Sequence, residues 1–226
     1  MGSFDGRTAI VTGGARGIGE ATGRRLVADG ASVISFDQSA PQSPVSGIRY
    51  LTLDVTSSND VRDAVRDVLG EEGSVDILDH NAGIQRVGLS EEGSPADWDL
   101  VIRVHQFGAY NCTAAVIPSM KTGRGGAIVN VASVAGLLAV PGRSAYAAAK
   151  AGIMALTWVT ALERASSNLR ANAVAPGFTR TALIDQALRD GSLSEEWMKQ
   201  EEPLGRLARP DEIASAIAWL ASDESS

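Results

Sequence analysis

Short apolar stretches alternate with segments of helical period along the whole chain, and this alternation constrains the fold more than any other feature. Apolar runs rich in valine and isoleucine are typical of strands that are buried on both faces. Strands separated by helices pair in parallel through βαβ units, and right-handed crossovers favour a doubly wound sheet. We therefore predict an α/β fold with a doubly wound, parallel Rossmann-type sheet in three α/β/α layers. The predicted strands are 8–11, 32–36, 50–53, 75–78, 127–131 and 171–174, and the predicted helices include 17–29, 60–69, 98–120 and 144–165.

The chain shows no linker and no internal repeat, so we expect residues 1–226 to form a single domain. Residues 38–47 contain two prolines and three serines and are predicted to be a surface loop. Residues 179–209 are more polar and contain helix formers, and we interpret them as a mobile flap over a site. A pair of ordinary surface helices is the alternative for this segment. A last helix is predicted over 210–220.

The formal net charge is −7 at pH 7, with 27 acidic and 20 basic side chains. A nucleic-acid-binding surface needs clustered lysine and arginine, so we expect no nucleic-acid partner. No apolar run approaches the roughly 20 residues of a membrane span, and the N-terminus lacks the apolar core of a secretion signal. The single cysteine, Cys112, lies in a predicted helix, where a packed thiol is expected rather than a nucleophile. We therefore expect a cytoplasmic protein with a small-molecule substrate, no membrane partner and no metal site.

A glycine-rich turn follows the first predicted strand and leads directly into a helix. Glycines here permit a tight turn, let the backbone approach a pyrophosphate, and leave the helix N-terminus free to bind its charge. Their spacing is G-x-x-x-G-x-G, which differs from the common G-x-G-x-x-G pattern. A plain structural loop is the alternative interpretation. The residues predicted to bind a cofactor in this turn are Gly13, Arg16, Gly17, Ile18 and Gly19.

Asp37 ends the second predicted strand, where a dinucleotide-binding fold has the acid that accepts hydrogen bonds from the adenosine ribose. A carboxylate at this position repels a 2′-phosphate, which favours NAD over NADP as the cofactor. Arg16 argues in the opposite direction because it could pair with that phosphate. We give Asp37 the greater weight and predict NAD, with NADP as the less favoured alternative.

Tyr146 and Lys150 are four residues apart in an alanine-rich segment that favours a helix. At this spacing the two side chains share one helix face. An ammonium group near a phenol lowers the phenol pKa from its usual value of about 10, which suits the tyrosine to proton transfer. The same spacing also occurs by chance on exposed helices, so the pair alone does not predict a catalytic site. That prediction needs the other motifs of the chain.

Taken together, these motifs resemble the short-chain dehydrogenase/reductase family in its short, single-domain form, over essentially the whole chain. The matching segments occur in the family's order: the glycine turn at 12–19, Asp54-Val55, Asn81-Ala82-Gly83, Ser133, Tyr146 with Lys150, Pro176-Gly177, and Arg206 with 210–214. The resemblance implies an oxidoreductase in which hydride passes between a nicotinamide cofactor and a substrate carbon, without a metal.

The resemblance also implies roles for individual residues. Tyr146 would exchange a proton with the substrate oxygen, and Ser133 would hold that oxygen. Lys150 would lower the tyrosine pKa and bind the nicotinamide ribose. The other implied cofactor contacts are Asp54 and Val55 beside the adenine, Asn81, Ala82 and Gly83 along the cofactor, and Pro176, Gly177, Thr179 and Thr181 near the carboxamide. Each of these could instead serve local capping.

Both histidines stand where the family pattern has asparagine. His80 replaces the first of two asparagines, and His105 replaces one that often completes a catalytic tetrad by kinking its helix and holding a water. Imidazole is bulkier than an amide, and its charge ordinarily changes near pH ~6.5. We predict that Ser133, Tyr146 and Lys150 still work, while His105 alters the proton relay and gives an unusual pH dependence.

Family members continue into a last parallel strand, so the resemblance implies a sheet whose last strand is missing from this chain. Family tetramers pack their two long helices, here predicted at 98–120 and 144–165, across one interface. We therefore expect a homo-oligomer, either a dimer or a tetramer.

The leading hypothesis is an NAD-dependent oxidoreductase acting on a secondary alcohol or ketone, as an alcohol dehydrogenase or carbonyl reductase does. The alternative is a dinucleotide-binding protein with impaired catalysis and a structural or sensing role, which only His80, His105 and the short C-terminus support. An epimerase or dehydratase of the extended type is a third hypothesis, which the glycine spacing disfavours. Candidate substrate-lining segments mix apolar side chains with Arg86, Arg143 and Arg180 and do not identify the substrate.

Overall fold

Six parallel strands form one sheet within residues 2–189, 191 and 193–225, which are the residues described by a computed structural model. The strand order is β3-β2-β1-β4-β5-β6, so it reverses between β1 and β4. The predicted doubly wound α/β fold is therefore confirmed. The strands are β1 (Thr8–Thr12), β2 (Ser32–Asp37), β3 (Ile48–Thr52), β4 (Ile77–His80), β5 (Gly126–Val131) and β6 (Leu169–Val174).

Helices cover both faces of the sheet. α1 and α8 pack together on one face, whereas α2 and α4 pack together on the other. The helices are α1 (Gly17–Ala28), α2 (Ser58–Glu72), α3 (Pro95–Ile102), α4 (Gly108–Thr122), α5 (Ser144–Arg164), α6 (Ala182–Arg189), α7 (Glu195–Glu201) and α8 (Pro210–Ala221).

The central strand β1 is apolar because both of its faces are covered. Ile10 is fully buried in the cluster beneath α2 and α4, while its neighbours Ala9 and Val11 are fully buried in the cluster beneath α1 and α8. Side chains alternate between the faces of a strand, so each face of β1 contributes to a different core. Because β1 lies in the middle of the sheet, the glycine turn that follows it has a fixed position.

The third and fourth strands differ from their predicted bounds. β3 begins at Ile48 rather than at residue 50, and β4 runs to His80 rather than ending at residue 78. The predicted end of this strand was too early because Asp79 and His80 are polar, whereas a buried strand is expected to be apolar. Pairing of His80 with Thr12 in the parallel ladder nevertheless extends β4 to that residue.

The single helix predicted over 98–120 is interrupted, so this prediction was wrong in its middle. α3 is followed by a π-helical turn, Arg103–Phe107, before α4 begins at Gly108. A π turn bonds each residue to the fifth along rather than the fourth, and such turns occur frequently at functional sites. His105 lies in this turn, so it stands where the regular helix is interrupted.

The segment interpreted as a flap contains the two short helices α6 and α7. Ile184, Met198 and Leu207 form a small apolar cluster between them, separate from the clusters beneath the sheet helices. The segment therefore contains the pair of surface helices that was the alternative prediction, and these helices share a small apolar core of their own. Its proposed motion stays a prediction.

Residues Ser144–Ser167, which comprise α5 and the turn after it, are long and apolar enough to cross a membrane by length and composition alone. Lys150, Glu163 and Arg164 interrupt this stretch, so it is not the uninterrupted apolar run that the sequence was expected to lack. In the fold, however, α5 packs against β6 and buries Lys150, Ile153 and Met154 within the domain. One face of α5 is thus packed within the domain, whereas the opposite face, with Trp158 and Leu162, is exposed.

Candidate active site

The glycine turn joins β1 to α1 where the strand order reverses, which is where open α/β sheets bind their ligands. Gly13 and Gly17 have φ angles of +64° and +61°, a region that other residues rarely adopt. A Cβ on Gly19 would lie 2.3 Å from the Gly13 carbonyl oxygen, so only glycine allows this close packing. Arg16 makes no side-chain cap within the described chain, which leaves the first N–H groups of α1 available to an anion. Ile18, by contrast, packs against the cluster beneath α1 and α8.

Thr12 and Asn81 fasten this turn to the end of β4. The Thr12 hydroxyl accepts hydrogen bonds from the N–H groups of Asn81 at 3.1 Å and Ala82 at 3.0 Å. The Asn81 side-chain amide donates to the carbonyl oxygens of Thr12 and Gly13, at 3.1 Å each. Asn81 therefore braces the glycine turn, and its amide is already engaged within the protein.

Asp37 lies at the end of β2, beside the glycine turn. Its carboxylate accepts hydrogen bonds from the N–H groups of Ala15 at 3.1 Å and Ser39 at 3.0 Å. These bonds fix the position of a negative charge next to the turn. Arg16 is exposed and forms no ion pair with this carboxylate among the described residues.

Ser133, Tyr146 and Lys150 converge beyond the carboxyl end of β5. Ser133 accepts a hydrogen bond from the Ala135 N–H at 3.2 Å, which opens a short 3-10 turn after the strand. Tyr146 and Lys150 occupy the beginning of α5, and the Lys150 Nζ atom lies 5.5 Å from the centroid of the Tyr146 ring. Nζ also donates to the Val131 carbonyl oxygen at 2.6 Å, which fixes the amine at the strand end.

The pKa values of this cluster differ from those expected for an isolated pair. Burial raises the pKa of Tyr146 above its ordinary value, although a hydrogen bond with Ser133 and the charge of Arg143 both lower it. Burial also lowers the pKa of Lys150 to about 7, against the opposing effect of Asp79. The predicted net lowering of the tyrosine pKa by Lys150 is therefore not found. Ser133 and Arg143 are the groups that favour the phenolate here.

His105 contacts the same cluster from the π turn. Its ring meets the Tyr146 ring edge-on, with centroids 5.4 Å apart and an interplanar angle of 83°. Nε2 lies 2.7 Å from the Ile84 carbonyl oxygen and 3.2 Å from the Ile84 backbone nitrogen, so its role as donor or acceptor depends on the tautomer, and Nδ1 is buried without a partner in the described chain. Burial and the charge of Lys150 hold the pKa of His105 well below 6.5. The expectation that its charge changes near neutral pH was therefore wrong, because the ring is buried.

His80 connects the glycine turn with the π turn. The Thr12 hydroxyl lies 3.2 Å from its Nδ1 atom, and the backbone carbonyl of His105 raises its pKa. Burial nevertheless dominates and lowers the pKa of His80 to about 3, so the ring is neutral. The sequence identified both histidines as unusual but did not indicate that they lie close enough to influence each other's pKa.

Asp54 and Val55 follow β3 at the same edge of the sheet. The Asp54 carboxylate accepts a hydrogen bond from the Thr56 N–H at 2.8 Å. Val55 is buried, and its carbonyl oxygen accepts a hydrogen bond from the Asn111 side-chain amide at 3.0 Å. The segment is thus held to α4 by Asn111, a residue that sequence reasoning missed.

The residues after β6 reach both parts of the site. The Pro176 carbonyl oxygen accepts a hydrogen bond from the Val134 N–H at 3.1 Å, which ties this segment to the turn after Ser133. The methyl group of Thr181 lies 3.4 Å from the position of a Cβ on Gly17, so Thr181 stands over the glycine turn. The segment thus lies beside both the proton-transfer cluster and the glycine turn.

Glu202 holds the beginning of this segment in place. Its carboxylate accepts a hydrogen bond from the Phe178 N–H, and a Cβ on Gly177 would lie 2.3 Å from Oε1. Thr179 is buried and forms an isolated parallel bridge with Ala208. Sequence reasoning missed Glu202 because it lies far along the chain, after α7.

Asp79 is a second residue that sequence reasoning missed. It is fully buried, and both carboxyl oxygens lack a hydrogen-bond partner within the described ranges. Burial raises its pKa to about 8, although Thr22 and the charge of Lys150 lower it. An acidic residue in the middle of a buried strand was the available signal.

A parallel sheet with a glycine turn at its switch point, an acid at the end of β2 and a tyrosine-lysine pair on α5 at the same edge define a nucleotide-binding α/β protein of the Rossmann type.

A family model described as Enoyl-(Acyl carrier protein) reductase matches residues 13–226. A 3-oxoacyl-(acyl-carrier-protein) reductase FabG of Thermotoga maritima is 40% identical, over 99% of this chain and 93% of the relative. A D-beta-hydroxybutyrate dehydrogenase of Cupriavidus necator is 35% identical, over 97% of this chain and 92% of the relative. The solved structure of the aldohexose dehydrogenase of Thermoplasma acidophilum has a TM-score of 0.92 and 34% identity, over 99% of this chain and 89% of that one.

The chain belongs to the short-chain dehydrogenase/reductase family and is an oxidoreductase of that family. Members of this family bind a nicotinamide cofactor and act on small-molecule substrates. The residues present fit such a cofactor, because Gly13 and Gly17 have positive φ angles and the N-terminus of α1 carries no side-chain cap in the described chain. Asp37 adds a fixed carboxylate beside the turn.

Proposed function

We propose that the protein transfers hydride between a nicotinamide cofactor, preferably NAD, and a secondary alcohol or ketone, with Tyr146 as the general acid and base. The observation that carries this proposal is the cluster in which Ser133 lowers the pKa of Tyr146 and the Lys150 Nζ atom lies 5.5 Å from the centroid of the phenol ring. A tyrosine that can exchange a proton, next to a hydroxyl that can hold an oxygen, is the arrangement that carbonyl reduction requires.

The raised pKa of Tyr146 supports its role as an acid. A phenol that stays protonated at neutral pH can donate its proton to the oxygen of a ketone as that oxygen gains negative charge. Ser133 would donate a second hydrogen bond to the same oxygen. The hydrogen bond from Ser133 and the charge of Arg143, which lower the pKa, would stabilise the phenolate that remains. In the oxidising direction the phenolate would take the proton back.

The cofactor, when bound, supplies or accepts the hydride. We propose that the glycine turn and the N-terminus of α1 hold its phosphates, and that Lys150 holds the nicotinamide ribose. The remaining contacts would come from the segments around Asp54, Asn81 and Thr179.

Asp37 supports the preference for NAD. Its carboxylate is fixed to the turn by the Ala15 N–H at 3.1 Å, so it would accept hydrogen bonds from a ribose and repel a 2′-phosphate. Ketone reduction measured with NADH and with NADPH tests this. We expect kcat/KM to favour NADH by at least tenfold and the preference to fall in Asp37→Ala, whereas the exposed control Asp63→Ala leaves it unchanged. A wild-type preference for NADPH would contradict the assignment.

A dinucleotide-binding protein with impaired catalysis is the second candidate. The specific observation in its favour is that His105 is neutral and its Nε2 atom contacts the Ile84 backbone, so it offers no proton of its own to Tyr146. Protein mixed with NAD+ and a broad panel of secondary alcohols separates the two candidates. Formation of NADH supports the enzyme, whereas NAD+ binding without any NADH formation supports the second candidate.

We also propose that the protein is a homodimer or homotetramer in the cytoplasm. Exposed apolar side chains on the π turn, α4 and α5 support self-association, because single domains rarely leave several large apolar groups together in solvent. The thiol of Cys112 is buried, with its pKa raised to about 12, so it is a packed side chain rather than half of a disulfide. This agrees with a reducing compartment.

A further inference from the structure

Arg143 is a buried arginine that has no partner of its own. Only 7% of the residue is exposed, and its side chain forms no hydrogen bond or ion pair with any residue in the described part of the chain. The other two arginines near the proposed pocket differ in this respect. Arg86 pairs with Asp97 at 3.0 Å, and Arg180 is engaged in ion pairs within the segment after β6.

Most of the Arg143 side chain is out of water, but none of its guanidinium nitrogens is among the fully enclosed polar atoms without a partner in the described chain, so the head group keeps contact with solvent. A charge held in this way is more favourable when an anion pairs with it. Arginine stays charged even when burial lowers its pKa, as it does here. Proteins therefore keep buried arginines paired, or keep them ready for an anionic ligand. With no carboxylate supplied by the described chain, the missing partner of Arg143 is expected from a ligand.

Arg143 directly precedes α5 and is three residues before Tyr146. It is the N-cap residue of α5, and its carbonyl oxygen accepts a hydrogen bond from the Ala147 N–H at 2.8 Å, so it is joined to the helical turn that carries Tyr146. The positive charge of Arg143 accordingly lowers the pKa of the Tyr146 phenol. An anion bound by Arg143 is therefore close to the oxygen that Tyr146 protonates.

We propose that Arg143 binds a carboxylate of the substrate, so that the substrates are short oxo acids and the corresponding hydroxy acids. This inference rests on the proposed function of Tyr146. Guanidinium and carboxylate groups match in a bidentate, charge-assisted pair, which is strong and directional. An acyl group on a carrier thioester has no charge a few bonds from its keto carbon, and neither does a neutral sugar. Arg143 thus selects for an acid over these neutral alternatives.

The test compares acetoacetate with methyl acetoacetate, which differ only in the charge of the carboxyl group. We expect the wild type to favour the acid in kcat/KM and Arg143→Gln to reduce the ratio of acid to ester by 10- to 100-fold. Arg143→Lys keeps the charge and should restore part of the ratio. Arg66→Gln removes the same charge from an exposed position on α2 and should leave the ratio unchanged.

Binding gives a readout that does not depend on turnover. Acetoacetate cannot react with NAD+, since both are oxidised, so calorimetry on the protein with NAD+ measures its affinity directly. We expect Arg143→Gln to weaken acetoacetate binding by 10- to 100-fold, while the affinity for NAD+ stays within about threefold. Circular dichroism confirms that the variant is folded.

The outcomes separate the two proposals. A wild-type ratio of acid to ester near one, or equal losses on both compounds in Arg143→Gln, would overturn the carboxylate inference and leave the oxidoreductase proposal intact. Tighter binding of acetonylphosphonate than of acetoacetate would overturn it in favour of a phosphate-like group. If no compound is turned over but acetoacetate binding still depends on Arg143, the inference stands and the proposed reaction fails.

Discussion

Asp79 lies in the middle of the sheet, opposite Val11 on β1 and Val129 on β5. A buried carboxyl group without hydrogen-bond partners disfavours folding, and the disadvantage grows when the group ionises. Burial accordingly raises its pKa from 3.8 to about 8. At neutral pH the folded protein therefore holds Asp79 protonated, whereas the unfolded chain has released the proton.

This difference makes stability fall with rising pH. Because the folded pKa lies above the unfolded one, each unit of pH between about 4 and 8 lowers the free energy of unfolding by about 1.4 kcal/mol through this residue. We expect Asp79→Asn to remove that contribution, so that its stability relative to wild type increases from pH 5 to pH 8. Urea unfolding at both pH values measures this, with the exposed Asp67→Asn as the control. Parallel pH dependence of wild type and Asp79→Asn would contradict it.

At the residue scale, the sequence predicted those features that depend on local spacing. Tyr146 and Lys150 lie on one helix because their spacing is helical, and Ser133 follows the end of β5, where it caps a short 3-10 turn. The raised pKa of Tyr146 and the neutrality of His105 were not predictable, because both follow from burial by residues far away in the chain. Roles assigned by resemblance alone, such as cofactor contacts, stay predictions.

The π turn between α3 and α4 is the element that most changes the site. It brings His105 against Gly83, where a Cβ would lie 2.3 Å from the imidazole Cε1 atom. The same histidine bonds Ile84 and meets the Tyr146 ring edge-on. The π turn therefore couples the loop after β4 to the tyrosine through one buried ring.

We expect Gly83→Ala to displace His105, because a buried ring at this distance has little freedom to move. The disturbance should reach Tyr146 and lower kcat/KM at least tenfold while the far-ultraviolet circular dichroism stays unchanged. Steady-state kinetics on a ketone substrate measures the effect.

Gly70→Ala is the matched control for that substitution. Gly70 lies in α2 with no atom within 4 Å of the position of its Cβ, so alanine should stabilise the helix by up to about 1 kcal/mol and leave kcat/KM unchanged. Equal activity of Gly83→Ala and Gly70→Ala would contradict the coupling of the π turn to Tyr146.

At the element scale, strands and helices were predictable because hydrophobic periodicity is a local signal. The prediction failed where polar residues occupy buried positions, as at the end of β4, and where hydrogen bonding changes within a helix, as at Arg103–Phe107. A π turn has no distinct periodicity over five residues, so a pattern of helical spacing runs through it unchanged.

The whole molecule leaves an apolar surface on the helices that cover one edge of the site. Phe107 and Tyr110 are 53% and 60% exposed, and Trp158 and Leu162 on α5 are 61% and 83% exposed. Trp158 and Leu162 are four residues apart and so share one helix face. The resemblance predicts that the two long helices form an interface between copies, and these exposed side chains lie on those helices and on the π turn between α3 and α4. The interface itself stays a prediction.

We expect size-exclusion chromatography with light scattering to find a dimer or tetramer, and Leu162→Glu to shift it to a smaller species by placing a charge in the apolar face. Leu204→Glu is the matched control, because Leu204 is 78% exposed but lies in the segment after α7. A monomeric wild type, or equal effects of the two variants, would contradict the proposed interface.

Fold class was predictable from alternation alone, since parallel strands joined by helices allow few topologies. Two other properties depend on the whole fold and could not be predicted from the sequence. The buried titratable groups Asp79 and Lys150 come from β4 and α5, and their mutual influence on pKa depends on how the fold brings those two elements together. Arg143 has no ion-pair partner among the described residues, and this likewise depends on the whole fold, because the fold decides which carboxylates come near its side chain.

The central claim is that Tyr146 transfers the proton in a site that binds the cofactor independently of it. The most direct measurement is kcat/KM for ketone reduction in Tyr146→Phe, together with the Kd for NADH in the same preparation. General acid catalysis contributes about 10²- to 10⁴-fold, so we predict a loss of at least 100-fold with a Kd within about threefold of wild type. Activity of Tyr146→Phe within tenfold of wild type, with NADH binding intact, would contradict the account.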